Sequence, residues 1–354
     1  MPGAQGRGAS VALKLQLSRS GVAAGSHWDA RRMAAVTVAC LLALRCAPHH
    51  NALCLLCATT PSSSHLPVAH AMQIEPSSSS VGALVHGVDL AQALSPQQIA
   101  DIRSAWLSHQ VIAFPNQNLA IEDLERFAFY IGPRGEDPYI AGLPGHPHVV
   151  EVKREAHEAS KLFAETWHSD WSFLPSPPAG TVLYGEVIPP VGGDTLFADQ
   201  YAAFDALPQA LRSAIAGRKA VHSARGGYAR DGLYGEKDTG RSMAIRFGDS
   251  ALKTRLHPLV RTHPETGRKA LFVSPGYTIG IDGMEPHEAG DVLRQLFKHQ
   301  LEERFIYRHR WSRGMLTLWD NRCLLHAATG GYEGHRRLLL RVTVAERQAG
   351  LAPA

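Results

Sequence analysis

The sequence predicts a mainly β protein in which an antiparallel double sheet carries helices packed on its outside. Three observations carry that expectation. From about residue 148 onward, short apolar runs recur between Gly, Pro and Asp turns at fairly even spacing. Helical patterns interrupt those runs at residues 201–216 and 285–301. Before residue 132, two further segments place their apolar residues at helical spacing.

Taken in chain order, "ALVHGVDL" reads as a strand, and Ser95-Pro96 then opens a helix, because serine is a good N-cap and proline fits the first turn. Its core positions are Ile99, Ile102, Ala105 and Trp106. "QVIAFPNQ" is a short buried strand ended by proline, and "IEDLERFAFYIG" is a second amphipathic helix closed by Gly132. The strands that follow are "HVVEV", "GTVLYGEV", "DTLFAD", "KALFV", "GMLTLWD" and "RLLLRVTV". With no internal repeat and no long linker, one domain over residues 72–350 is expected.

Composition divides the chain before that domain. Residues 1–71 hold six basic residues, one acidic residue (Asp29) and four of the five cysteines, so they carry +5 of the formal +4, and the remainder carries −1. The basic balance belongs to this leader, and the main domain gives no reason to expect nucleic acid or an anionic membrane as partner. Its apolar run, residues 33–44, is too short to span a bilayer, and Cys54-x-x-Cys57 has no second pair to complete a zinc site. The leader is expected to be a disordered or misannotated N-terminal extension, with Met72 as the natural start. Cys323, alone in the main domain, suits a reducing, cytoplasmic setting. Oligomeric state stays open, a homo-oligomer included.

His168 and Asp170, in "ETWHSDWSF", would share one face of a strand. The pair proves little alone: chance supplies about one His-x-Asp triplet in this composition, and a second copy stands at His27-Trp28-Asp29. His326, 156 residues after Asp170, is the candidate third ligand. Two histidines and a carboxylate on one face of a metal leave three positions open, the arrangement of non-haem Fe(II) oxygenases. The last strand adds a second argument. Leu338, Leu340, Val342 and Val344 form an apolar face that must be packed, which turns Arg337 and Arg341 to the other side. Two buried guanidinium groups imply two anions, and no carboxylate lies in that strand, so carboxylate-bearing ligands are expected.

Together, Trp167-His168-x-Asp170, "GGDT" (192–195), "HPETGRKALFV" (263–273), "WDNR" (319–322), His326, and arginines 11 and 15 residues after it resemble the taurine/2,4-D dioxygenase (TauD/TfdA-like) family of Fe(II)- and 2-oxoglutarate-dependent enzymes. The resemblance covers Met72 to about Arg347. It implies a distorted jelly-roll, or double-stranded β-helix (cupin-like), with helical insertions. It implies His168, Asp170 and His326 as iron ligands, Arg337 and Thr195 as partners of the distal carboxylate of 2-oxoglutarate, and Trp319 as an aromatic beside it. Arg341 would hold a substrate anion. The implied reaction spends O2 and 2-oxoglutarate, releases succinate and CO2, and hydroxylates a C–H bond. A hydroxylated carbon bearing sulfonate, amine or ether oxygen would then break its C–S, C–N or C–O bond.

The chain departs from taurine enzymes on the substrate side. Ala164 stands where they carry an asparagine, and Asp137 falls where they carry a histidine. Those losses put taurine itself in doubt and point to a less polar small organic acid: another sulfonate, a sulfate ester or an aryloxyalkanoate. Tyr139, His222 and Tyr277 are further candidates for the substrate pocket. The alternatives are the same chemistry on a neutral or cationic metabolite, and a non-catalytic jelly-roll that senses metal or small acids.

Overall fold

A computed structural model describes residues 72–347 of the chain. The expectations for the leader, including Cys54-x-x-Cys57 and His27-x-Asp29, lie outside the described residues.

The backbone of the fold is an eight-stranded sheet in the order Gln73–Pro76, Ala83–His86, Val111–Phe114, Leu316–Asp320, Gly180–Val187, Arg337–Val344, His146–Arg154, Gly142–Leu143. All neighbours are antiparallel except Ala83–His86 beside Val111–Phe114, which are parallel. A smaller sheet orders Ile306–His309, Thr195–Asp199 and Leu324–Ala328. Another orders Thr278–Ile281, Lys219–Ser223 and Thr254–Pro258, and a two-stranded ribbon joins Val260–Thr262 to Lys269–Leu271. This is the jelly-roll with added helices.

The two N-terminal helices cover the outer face of the large sheet. Pro96–His109 starts with a full capping box between Ser95 and Gln98, and buries Ile99, Ile102, Ala105 and Trp106 as expected. Ile121–Ile131 buries Leu124, Phe127, Ala128 and Ile131. These faces join Leu338, Leu340, Val342 and Val344 in one core, so the apolar face of the last strand is spent on the helices. Arg337 and Arg341 therefore point into the barrel, as the alternation required.

Three local expectations are corrected. Gly132 ends its helix in extended backbone (φ −171°), not in a left-handed cap; it is glycine because an added Cβ would lie 2.6 Å from the Ala345 carbonyl oxygen. The single helix expected at 201–216 is two, Gln200–Asp205 and Gln209–Ile215, divided at Leu207-Pro208. His168 and Asp170 do not lie on a regular strand: His168 forms an isolated antiparallel bridge with His326, and Asp170 opens a turn.

Candidate metal and cosubstrate site

The bridge brings the triad together. His168 N–H donates to the His326 carbonyl (3.0 Å) and His326 N–H donates back (2.8 Å), so the residues sit directly opposite and their rings share one face, 4.2 Å between centroids. The turn after His168 then swings Asp170 beneath both rings. Trp171 completes it with φ +46°, a left-handed conformation that costs a non-glycine residue about 1–2 kcal/mol. The Asp170 Oδ1 lies 3.7 Å from His168 Nε2 and 3.8 Å from His326 Nε2, and all three residues are buried. Three donors facing one point at this separation could hold a metal ion on one side of its coordination sphere.

The surroundings orient these donors. His168 Nδ1 is within 2.7 Å of the Thr166 carbonyl, which fixes the proton on Nδ1 and turns the Nε2 lone pair to the site. Thr181 donates to Asp170 Oδ2 at 2.6 Å and receives from Asn321, whose carbonyl accepts from Trp319 Nε1 at 3.0 Å. Burial opposes ionisation of Asp170, but the charge field of its neighbours, permanent in Arg341, outweighs it and holds the carboxyl well below its usual range. Burial and His168 push His326 down to about 3, so the ring is neutral and free to ligate.

Arg337 has no such compensation. It is 6% exposed, and among the described residues no carboxylate pairs with it. One guanidinium nitrogen donates to the Gly193 carbonyl at 3.0 Å, Nε has no partner, and burial lowers its pKa. Gly193 is glycine here for two reasons: φ is +71°, and a Cβ would crowd Arg337 Nε at 3.2 Å. A buried cation with an orphaned donor fits a dicarboxylate that the chain does not itself provide. Thr195, two residues beyond Gly193, is buried and accepts from Trp311 at 3.0 Å. Trp319 lies tilted against His326, with 4.9 Å between ring centroids.

The two-anion expectation needs a correction at Arg341. Its partner is internal: Arg341 donates to Asp137 Oδ1, and its other terminal nitrogen lies 3.6 Å from Asp170 Oδ1. Trp171 Nε1 donates to the same Asp137 oxygen at 3.1 Å and Thr343 to the other at 3.1 Å. Burial raises the Asp137 pKa against the pull of Arg341, and three converging donors favour the acceptor-only carboxylate. The strand holding Arg341 contains no acid, but the loop after the second helix brings one to it.

Beside His168 lies a cavity of about 190 Å³, walled by Phe163, Ala164, Tyr228, Tyr234 and Tyr277 and floored by Gly226-Gly227. That is the scale of a cavity that admits a benzene ring, about 150 Å³. No lysine or arginine lines it. Tyr277 takes its expected place, edge-on to His168. Tyr139 and His222 do not. Tyr139 is one layer behind, stacked on Tyr228 at 4.5 Å with its hydroxyl on Ser250. His222 faces Ser172 and Phe272 from the middle of its three-stranded sheet, away from the cavity, and burial pushes it down to about 3.

Sequence reading missed Thr181 and the role of Asn321, and it placed Asp137 on the substrate side without finding its partner Arg341. Asn321 stands inside "WDNR", a motif whose ends do other work. Asp320 and Arg322 form a buried pair (2.6 Å) that also ties His263 and Glu265 of "HPETG". The two motifs touch in the fold.

Fold and triad define a jelly-roll protein with two histidines and one carboxylate at its centre. The chain belongs to the family described as "Taurine catabolism dioxygenase TauD, TfdA family", whose model matches residues 73–343. It is 33% identical over 277 residues to the (S)-phenoxypropionate/alpha-ketoglutarate-dioxygenase of Sphingobium herbicidovorans, covering 78% of this chain and 95% of that protein. It is 34% identical over 274 residues to the alpha-ketoglutarate-dependent 2,4-dichlorophenoxyacetate dioxygenase of Cupriavidus pinatubonensis, covering 73% and 92%. Its structure superposes on AAD-2 in complex with Mn(II) and N-oxalylglycine with a TM-score of 0.63 at 29% identity, covering 78% of this chain and 98% of that one. The protein is a 2-oxoglutarate-dependent dioxygenase.

Proposed function

We propose that the chain uses Fe(II) held by His168, Asp170 and His326 to hydroxylate a C–H bond of a small organic molecule. The observation that carries this reading is the uncompensated Arg337 guanidinium in the same barrel as a preorganised triad. Bound iron, O2 and 2-oxoglutarate would supply the oxidising power, with succinate and CO2 released. The chain's own residues do the rest. Thr181 fixes Asp170 Oδ2 so that Oδ1 faces the metal, and Thr166 fixes the His168 tautomer. Arg337, with Thr195, anchors the distal carboxylate of the cosubstrate. Trp319 and Phe197 pack against His326 and keep water from that flank. The aromatic cavity positions the substrate's apolar body beside His168.

The substrates named for the relatives, and the resemblance itself, favour a small organic acid of the aryloxyalkanoate, sulfonate or sulfate ester kind, with C–O or C–S cleavage after hydroxylation. Such an acid would meet Arg341. One observation favours a second reading, an uncharged or cationic metabolite: Asp137 already holds Arg341. A small-molecule substrate is proposed, without nucleic acid or membrane, on the −1 charge of residues 72–354. No described helix is long and apolar enough to cross a membrane. A cytoplasmic setting is proposed on Cys323, buried and without a disulfide among the described residues.

The test is succinate formation from Fe(II), ascorbate, O2 and 2-oxoglutarate across a panel of acids and their uncharged analogues. Substrate-dependent succinate is expected; its absence with every member would count against the hydroxylase reading.

A further inference from the structure

Resting on the hydroxylase reading, in its uncharged-substrate form rather than its organic-acid form, we infer that Asp137 sets the charge of the substrate: it occupies the anion-binding side of Arg341 permanently, so no anionic group is seated there and an acid is refused.

The first argument is connectivity. Asp137 is 8% exposed at its side chain and accepts from Arg341, Trp171 and Thr343, on both carboxylate oxygens. The Trp171 indole also lies against the guanidinium, 5.1 Å from its centroid, and closes a second side of Arg341. The remaining terminal nitrogen faces Asp170. A substrate carboxylate could reach Arg341 only by expelling Asp137. That would strand the buried Trp171 and Thr343 donors and move a buried carboxylate off its guanidinium partner, a change that buried ion pairs resist.

The second argument is charge balance. A divalent ion on the triad carboxylate leaves one positive charge. The dianionic cosubstrate and Arg337 together leave one negative charge, and the two cancel. Arg341 and Asp137 cancel each other. The loaded site is therefore formally neutral, and an added anion would have no counter-charge in a buried space. Without Asp137 the same site would carry one positive charge and attract an acid.

The third argument is the cavity. Its walls offer the side chains of Phe163, Tyr228, Tyr234 and Tyr277, with Thr166 beside them, and no lysine or arginine. It suits a flat apolar body bearing uncharged hydrogen-bonding groups.

The experiment compares phenoxyacetate with phenoxyacetamide, which share shape and differ in charge, by calorimetric titration of the protein loaded with Mn(II) and 2-oxoglutarate. The wild-type protein is expected to bind the amide more tightly. Asp137→Asn keeps the shape and frees the guanidinium, and should bind the acid at least about tenfold more tightly than wild type does. In the double variant Asp137→Asn/Arg341→Met that gain should vanish. A wild-type protein that prefers the acid, or an Asp137→Asn variant whose acid binding is no tighter than wild type's, no binding by either included, overturns the inference. Should Asp137→Asn fail to fold, the wild-type comparison decides alone. If neither probe binds wild type, the acid gain in Asp137→Asn decides. The 2-oxoglutarate titration that precedes each run separates the two claims. Lost cosubstrate binding refutes the hydroxylase reading, whereas intact binding with the wrong charge preference refutes only the role of Asp137.

Discussion

Arg337 makes opposite demands on the free and the loaded protein. As a buried cation with an orphaned Nε, it weakens the fold until an anion arrives. Arg337→Met should therefore raise the Tm of the free protein, while weakening 2-oxoglutarate binding roughly a hundredfold, the worth of about 2–3 kcal/mol in hydrogen bonds to a charged group. Thermal unfolding and cosubstrate titration check the two halves, and a lower Tm would show that Arg337 is simply a packing residue. Thr181→Val keeps volume and removes the donor to Asp170 Oδ2. Metal affinity should fall by about 10- to 100-fold with little change in fold, as measured by competition with a chelator. Trp171 and Ala164 hold the triad segment through positive φ angles (46° and 60°) that neither residue type favours. Ala164 also lines the cavity, so this substrate-side position is both strained and apolar.

At the scale of elements, the last strand was the most legible part of the chain. Its alternation put four aliphatic side chains on the helices and two arginines in the barrel, and both statements hold. What alternation could not show was who meets each arginine. Arg341 finds Asp137 from 204 positions away, across a loop whose conformation no local pattern specifies. The triad was legible by motif and spacing but not by geometry: an isolated bridge and a strained turn, rather than a strand, bring His168 and Asp170 together. Tyr139 and His222 pack outside the cavity lining, on Tyr228 and Ser250 and on Ser172 and Phe272, a placement that residue type does not show. The "WDNR" and "HPETG" motifs carried the resemblance without an assigned role beyond Trp319, and their Asp320, Arg322 and His263, buried, join Glu265 in an ionic knot that clamps the end of Leu316–Asp320 to the loop 263–268. Arg322→Met leaves Asp320 short of its main partner and should cost about 3–5 kcal/mol, or on the order of 10 °C in Tm. Cosubstrate affinity of the protein that remains folded should stay within a few fold of wild type.

For the whole molecule, buried neutral histidines set the acid limit. Burial holds His222 at about 3 and His309 at about 4, both below the usual value near 6.5. Between those limits the unfolded chain binds more protons than the folded one, so stability is retained above pH 6.5 and falls as pH drops toward 4. At pH 5 each histidine should have withdrawn on the order of 2 kcal/mol, and a Tm series from pH 8 to 5 should decline below pH 6.5. His222→Phe would flatten that decline; an unchanged slope would mean that another group controls it. The central claim is that one metal on His168, Asp170 and His326 and one 2-oxoglutarate on Arg337 form a single site. Anaerobic calorimetric titration with 2-oxoglutarate, with and without Fe(II), tests it most directly. One equivalent should bind per chain only when metal is present, and His326→Ala should abolish that binding; binding indifferent to the metal or to His326 would contradict the account.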